Sequence, residues 1–318
     1  MEMTAKAKIL KGIGGLYSVL VLSPESPFSG QVLRARARGS FRHEHTTPLA
    51  GDNVIISLEE NAADNSADGG KAVIDEIVDR RSALIRPPLA NLDYLFVTMA
   101  AASPSPILST VDKLISIAEH NSIEPIIVIT KSELDPIRAS ELENIYSCCG
   151  FTVFSLSAQK DIGIQPIDEF IKTSMSGKTA AFAGASGIGK STLLNRLFPS
   201  LALTTSEISR KIERGRHTTR EAELFPLSQS PDCGYIADTP GFSMLDFKRF
   251  DFFEKEDLVD TMREFAPFIG ECKFTKCSHT KEQGCAVLQA VKAGKIPESR
   301  HQSYVELYEI LKTRKKWD

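Results

Sequence analysis

Gly184-Ala185-Ser186-Gly187-Ile188-Gly189-Lys190-Ser191 carries the pattern GxxxxGK[ST]. Glycines at these spacings let successive backbone N–H groups converge on anionic oxygens, and a helix that follows adds the positive end of its dipole. Lys190 then reaches the β- and γ-phosphates of a nucleotide, and the Ser191 hydroxyl, with Thr192 next to it, stands on the magnesium side. The context suits this chemistry, because the apolar run Thr179 to Ala183 reads as a strand before the loop and Leu193, Leu194 and Leu197 as a helix after it.

Asp238-Thr239-Pro240-Gly241 follows the apolar run Tyr235 to Ala237. A carboxylate at that strand end can hold Mg²⁺ through water, and the Gly241 N–H can meet the γ-phosphate. Between the two motifs lies Gly215-Arg216-His217-Thr218-Thr219. A threonine from a mobile loop commonly completes the metal shell and senses the γ-phosphate, a task for Thr219 or Thr218. Ras-like GTPases next use a glutamine to orient the attacking water, but Phe242 stands at that place and its ring cannot do so. Slow turnover by the isolated chain is expected, with either His217 or a partner supplying the missing element.

Guanine presents N–H donors at its pairing edge, so a base-reading loop needs a carboxylate. Thr130-Lys131-Ser132-Glu133 offers Glu133 for that edge and the Lys131 stem for the purine face, and Ser157-Ala158, after the run Phe151 to Leu156, offers a backbone contact to the guanine oxygen. The usual pattern is Asn/Thr-Lys-x-Asp, so Glu133 departs by one methylene. Taken alone, residues 130 to 133 also read as a plain strand-ending loop, and an ATPase using the same phosphate loop stays open. The base loop precedes the phosphate loop, the reverse of ordinary GTPases, so the chain reads as circularly permuted.

Cys272, Cys277, His279 and Cys285 form Cys-x4-Cys-x-His-x5-Cys within fourteen residues. Three thiolates and one imidazole suit tetrahedral Zn²⁺, and a closed set of four protein ligands makes a structural site. The alternatives are a disulfide, which a reducing compartment disfavours, or unconnected thiols. Cys148, Cys149 and Cys233 fall outside the cluster and read as buried or free thiols.

Elsewhere, Val32-Leu33-Arg34-Ala35-Arg36-Ala37-Arg38 alternates, so a strand would gather three guanidinium groups on one face. That face is either solvated or placed against an RNA backbone. Lys6, Lys8, Lys11, Arg42, His43 and His45 add to a locally positive N-terminal stretch.

The elements that must position these groups fall into three expected regions. Residues 1–80 hold strand-like runs Leu16 to Leu22, Gln31 to Arg38, Asn53 to Leu58 and Ala72 to Ile77, with a polar loop from Asn61 to Gly70, which suggests a small OB-fold barrel. Residues 81–245 alternate strands (Leu92 to Ala100 and Pro125 to Ile129 among them) with helices such as the one whose face carries Val111, Leu114, Ile115 and Ala118, the signature of an α/β core with a mostly parallel sheet. Residues 246–318 read as helical around the Cys/His cluster: Leu258, Met262 and Phe265 share a helical face, as do Tyr304, Leu307, Tyr308 and Leu311. Lys312, Arg314, Lys315 and Lys316 gather at the end, which suits the helix dipole as well as it suits a binding role. The fold class expected is thus multidomain α/β: an N-terminal OB-fold β-barrel, a central circularly permuted P-loop GTPase domain and a C-terminal helical zinc-binding domain.

With 318 residues, 42% hydrophobic and 25% charged, the chain is long enough for several cores and ordinary for a globular protein. A net charge of −3 excludes a protein basic all over and confines nucleic-acid contact to local patches. The apolar stretch Ile13 to Leu22 lacks a small-residue cleavage site and reads as a strand rather than a secretion signal, and no run reaches the ~20 apolar residues of a spanning helix. A cytoplasmic protein is expected.

The reordered segments, with Arg86-Pro87, Ala90-Asn91-Leu92-Asp93, GASGIGKS, GRHTT, DTPGF and the run from Cys272-Lys273-Phe274 through Cys285, resemble the ribosome small-subunit-dependent GTPase A (RsgA) family over nearly the whole chain. That family usually has Asp where Glu133 and Lys276 stand and Pro where Gln283 stands. The first departure touches base selection, and none removes a zinc ligand. The resemblance implies a cytoplasmic bacterial GTPase that binds the small ribosomal subunit and its rRNA, acts late in subunit maturation and hydrolyses GTP faster when bound. A monomer is expected. The competing reading is a nucleotide-gated RNA-binding assembly scaffold whose hydrolysis is incidental.

Overall fold

Ala5, Ala7 and Ile9 alternate with Lys6 and Lys8, and this stretch folds as a long first strand, β1 (Met3–Ile13), in which Ala5, Ala7 and Ile9 are buried. The computed structural model describes residues 3–43, 46–58, 72–84, 87–199, 222–228, 230, 233–238 and 254–313. The expected loop Asn61 to Gly70, Arg86, His45, residues 215–219, Thr239 to Phe242 and the basic residues after Thr313 lie outside them. The fold divides into two compact units, Met1–Tyr94 with Asp168–Phe182 and Phe198–Phe242, and Leu95–Ile167 with Ala183–Leu197 and Ser243–Asp318.

In the first unit β1 is followed by β2 (Leu16–Val21), β3 (Val32–Ala37), a helical turn α1 (Ser40–His43), β4 (Asn53–Leu58) and β5 (Ala72–Ile77). β2 lies between β1 and β3, β3 pairs in parallel with β5, β5 pairs with β4, and β4 returns to β1, so five strands close on themselves in an OB-type barrel. Val19, Ala35, Val54, Ile56 and Ile74 fill its interior. Arg34, Arg36 and Arg38 are exposed, as the alternation of β3 requires with Ala35 facing the core. A short hairpin, β6 (Ala83–Leu84) and β7 (Leu89–Ala90), follows the barrel.

Along the chain come β8 (Tyr94–Ala100), α2 (Leu108–His120), β9 (Glu124–Thr130), α3 (Pro136–Ser147), β10 (Thr152–Ser155), α4 (Ile164–Ser174), β11 (Thr179–Ala183), α5 (Lys190–Leu197), β12 (Glu223–Pro226) and β13 (Tyr235–Asp238). β12 pairs with β1 at Lys11↔Glu223, where the two side chains form an ion pair, and with β13, which runs parallel to β11. In the second unit β9 lies beside β8 and pairs in parallel with β10. Their near-continuous apolar content reflects burial on both faces. α3 starts where Pro136 takes the first helical position and the Asp135 side chain accepts from the Arg138 N–H at 2.9 Å.

The C-terminal region has two 3-10 turns, Asp257–Thr261 and Arg263–Phe268, then α6 (Ala286–Lys292) and α7 (Glu298–Thr313). Leu258, Met262 and Phe265 are buried, as their spacing suggested, but on the two tight turns and the residue joining them rather than on one α-helix. Met262 adopts φ −109° and ψ 88° between the turns, and Pro267 lies inside the second, so an α-helical ladder cannot run through. Among the described residues no helix is long and apolar enough to cross a membrane.

Candidate functional site

The phosphate loop leaves β11 at Ala183 and enters α5 at Lys190. Gly184 needs to be glycine: a Cβ there would lie 2.2 Å from the Thr98 carbonyl oxygen of β8. Gly189, at φ +97°, takes the backbone into a region that side chains rarely enter, just where the loop turns into the helix. Ala185, Ser186 and Gly187 form an exposed crest, while Ile188 is buried and anchors it. Lys190 folds its ammonium back onto the loop, donating to the carbonyl oxygens of Gly184 and of Ala185, the latter at 2.8 Å. Burial lowers its pKa. A cation held by neutral carbonyls can exchange them for phosphate oxygens, which bind it more strongly.

The segment Thr130-Lys131-Ser132-Glu133 reaches this loop directly. The Thr130 hydroxyl donates to the Ile188 carbonyl, with the Met99 carbonyl 3.1 Å away. Lys131, at φ +54°, donates from Nζ to the Gly187 carbonyl at 2.7 Å and to the Ser103 carbonyl. The Ser132 N–H donates to Leu156 O at 3.2 Å, tying the segment to the end of β10. Ser157 is fully buried and pairs with Ile162 by two backbone bonds, which closes the loop that contains Ala158. Glu133 has a buried Oε2 with no hydrogen-bond partner among the described residues. A buried carboxylate oxygen without a donor is costly. Guanine offers two N–H groups at its pairing edge, donor chemistry that a carboxylate can accept.

The magnesium side is only partly described. Ser191 and Thr192 are exposed in the first turn of α5, and Asp238 ends β13 in register with Glu223. Thr218, Thr219, Gly241 and His217 lie outside the described residues.

The Cys/His cluster forms in the second unit. One ligand atom from each of Cys272, Cys277, His279 and Cys285 lies within 4.8 Å of the others. His279 Nδ1 is 3.5 Å from Cys272 Sγ and from Cys285 Sγ, and those two sulfurs are 3.8 Å apart. A tetrahedron with Zn–S near 2.3 Å and Zn–N near 2.0–2.1 Å has S···S edges of about 3.8 Å and S···N edges of about 3.5 Å. The donor set and spacing therefore fit zinc. Burial lowers the pKa of His279 and keeps its imidazole neutral, the ligating form. All six cysteines are free thiols, with Cys148 exposed and Cys149 and Cys233 buried.

Several supporting groups carried no sequence signal. The Ser103 carbonyl that holds Lys131 is a backbone atom, which no residue type announces. Arg196 on α5 pairs with Asp161 in the loop after β10, with Nη2 at 2.7 Å and Nε at 2.8 Å. Arg300 is fully buried on α7 and donates to Asp112 of α2 at 2.6 Å and to Glu264 at 2.7 Å. Only a fold that brings residues 112, 264 and 300 together makes that arginine internal.

A family model described as RsgA GTPase matches residues 77–248, and one described as RsgA N-terminal domain matches residues 6–64. A small ribosomal subunit biogenesis GTPase RsgA of Alkaliphilus metalliredigens is 39% identical over 313 residues, covering 98% of this chain and 99% of that protein. The protein of the same name from Ruminiclostridium cellulolyticum is 40% identical over 306 residues, 96% of this chain and 93% of its own length. Among solved structures, YjeQ from Thermotoga maritima superposes with a TM-score of 0.78 at 29% identity, over 98% of this chain and all of that one. YloQ, described as a circularly permuted GTPase, gives 0.76 at 32% identity over 98% and 96%. With the RsgA GTPase model spanning more than half of the sequence and relatives about 40% identical over nearly all of it, this chain belongs to the RsgA GTPase family.

Proposed function

We propose that this GTPase works on the small ribosomal subunit in late assembly, hydrolysing GTP faster when bound there. The observation that carries the guanine assignment is the pairing of Lys131 with Gly187 beside the unpartnered Glu133 oxygen. Thr130, Lys131, Glu133, Ser157 and Ala158 take the base, and residues 184–192 take the phosphates. Mg²⁺, held by Ser191, Thr219 and Asp238, would neutralise charge on the β- and γ-phosphates. Thr218 or Thr219 senses the γ-phosphate, the Gly241 N–H meets it, and His217 orients water. One zinc ion held by Cys272, Cys277, His279 and Cys285 supplies structure, not catalysis, because four protein ligands leave no open position.

Exposed Arg34 and Arg36 on β3 support rRNA backbone contact by the barrel. The protein acts as a cytoplasmic monomer with functional regions at 1–80, 81–245 and 246–318. Turnover measured with and without purified small subunits tests the switch: stimulation is expected, and equal rates would favour a scaffold with incidental hydrolysis. Replacing His217 with Ala should spare GDP binding and lower the stimulated rate. An unchanged rate removes His217 from the mechanism.

A further inference from the structure

The turn that carries Cys277 and His279 is held from inside by a carboxylate that is not a ligand. One oxygen of Glu282 accepts from the Ser278 peptide N–H at 2.8 Å and from the Ser278 hydroxyl, and the other accepts from the N–H groups of Thr280 and Lys281, each at 3.1 Å. The outward carbonyls of the same turn are engaged by α7. Tyr304 donates its hydroxyl to Ser278 O at 2.9 Å, and His301 Nε2 lies 2.8 Å from His279 O. The peptide groups flanking His279 are thus engaged by Glu282, His301 and Tyr304, none of which belongs to the ligand set.

Such bracing has a physical reason. His279 has φ +56°, a left-handed conformation that a residue with a Cβ adopts only when its surroundings impose it. In this conformation its Nδ1 meets the sulfurs of Cys272 and Cys285 at 3.5 Å. Gln283 and Gly284 complete the return to Cys285, with Gly284 at φ +80°. Glu282 is thus a side chain whose bonds reach peptide N–H groups both before and after His279.

Resting on the zinc reading of the four ligands, we propose that Glu282 is the positioning residue of the metal turn: by gathering the N–H groups of Ser278, Thr280 and Lys281 it aims Cys277 and His279 at the convergence point shared with Cys272 and Cys285. Metal entry then requires little rearrangement of the backbone. Partners of this outer kind typically affect metal affinity ten- to a hundredfold.

The test uses the full-length protein with Glu282→Ala and Glu282→Gln, zinc affinity measured by competition with a chromogenic chelator, and Co²⁺ absorption as a reporter of tetrahedral ligation by three sulfurs and one nitrogen. Glu282→Ala should bind zinc ten- to a hundredfold more weakly while its Co²⁺ spectrum stays tetrahedral. Glu282→Gln, whose amide oxygen can still accept, should lose less but at least threefold. A side chain that merely stabilised the fold would lower the melting temperature of the zinc-saturated protein and leave zinc affinity alone, and that result overturns the proposal. Should Glu282→Ala fail to fold, unchanged affinity in Glu282→Gln overturns it equally. A wild-type protein that takes up neither zinc nor tetrahedral Co²⁺ would instead remove the zinc reading beneath it.

Discussion

The ammonium of Lys131 donates to the carbonyl oxygen of Gly187 at 2.7 Å, joining two loops 56 residues apart in the chain. The bond fixes the Lys131 stem beside the phosphate crest, where it can cover a purine face. Charge-assisted bonds of this kind contribute about 1.5–3 kcal/mol. Lys131→Ala is therefore expected to weaken GDP binding about ten- to a hundredfold with circular dichroism unchanged, as read by fluorescent-nucleotide titration. Wild-type affinity in that variant would show that the bridge plays no part in binding.

Glu133 should decide the base. Its buried Oε2 awaits a donor, so GDP should displace a labelled guanine nucleotide and ADP should not. In Glu133→Gln an amide N–H would face the guanine amino group, and GDP affinity should fall about ten- to a hundredfold. Xanthosine diphosphate, with an oxygen in place of that amino group, should gain relative to GDP. Equal competition by ADP and GDP in the wild type would refute the assignment of Glu133.

Arg300 neutralises Asp112 and Glu264 with all three side chains almost wholly buried. Burial raises the pKa of Asp112, and Arg300 opposes that rise. Removing the cation strands two carboxylates, so Arg300→Ala should lose about 3–5 kcal/mol of stability. Urea unfolding of the full chain measures this, and a loss below about 1 kcal/mol would mean that the cluster relaxes without its arginine.

Lys8 predicts a pH dependence. Its ammonium is buried on β1, 5.2 Å from the centre of the Tyr235 ring and 3.5 Å from the Gly51 carbonyl. Burial first and Arg81 second lower its pKa, Asp93 and Asp52 oppose them, and the net result is about 8 against an ordinary 10.5. The unfolded chain holds this proton more tightly than the folded one, so stability rises between about pH 8 and 10.5 and the buried cation is a cost below pH 8. Lys8→Met should melt higher than wild type at pH 7, and the gap should shrink as the pH approaches 10. A gap independent of pH would locate the effect in packing.

Motifs were readable wherever a local pattern carries its own chemistry. The strands Asn53–Leu58, Ala72–Ile77 and Thr179–Ala183 have the expected limits because their apolar residues lie in short runs bounded by turn signals. β1 escaped because Lys6, Lys8 and Lys11 masked the alternation of Ala5, Ala7 and Ile9, and a lysine reads as surface until a neighbouring strand covers it.

What the sequence determined by itself was the identity and order of the candidate parts: a GxxxxGK[ST] loop, a carboxylate-bearing segment ahead of it, and three cysteines and a histidine at a spacing that suits zinc. Residue type and short spacing suffice for these, since glycine freedom, thiolate softness and a carboxylate's acceptor oxygens are local properties. Tertiary structure alone decided which backbone carbonyls receive Lys131, why Gly184 tolerates no side chain against Thr98, and that Arg300 lies inside. Those outcomes depend on burial and on distances between segments far apart in the chain, which exist only after the strands have paired and the helices have packed.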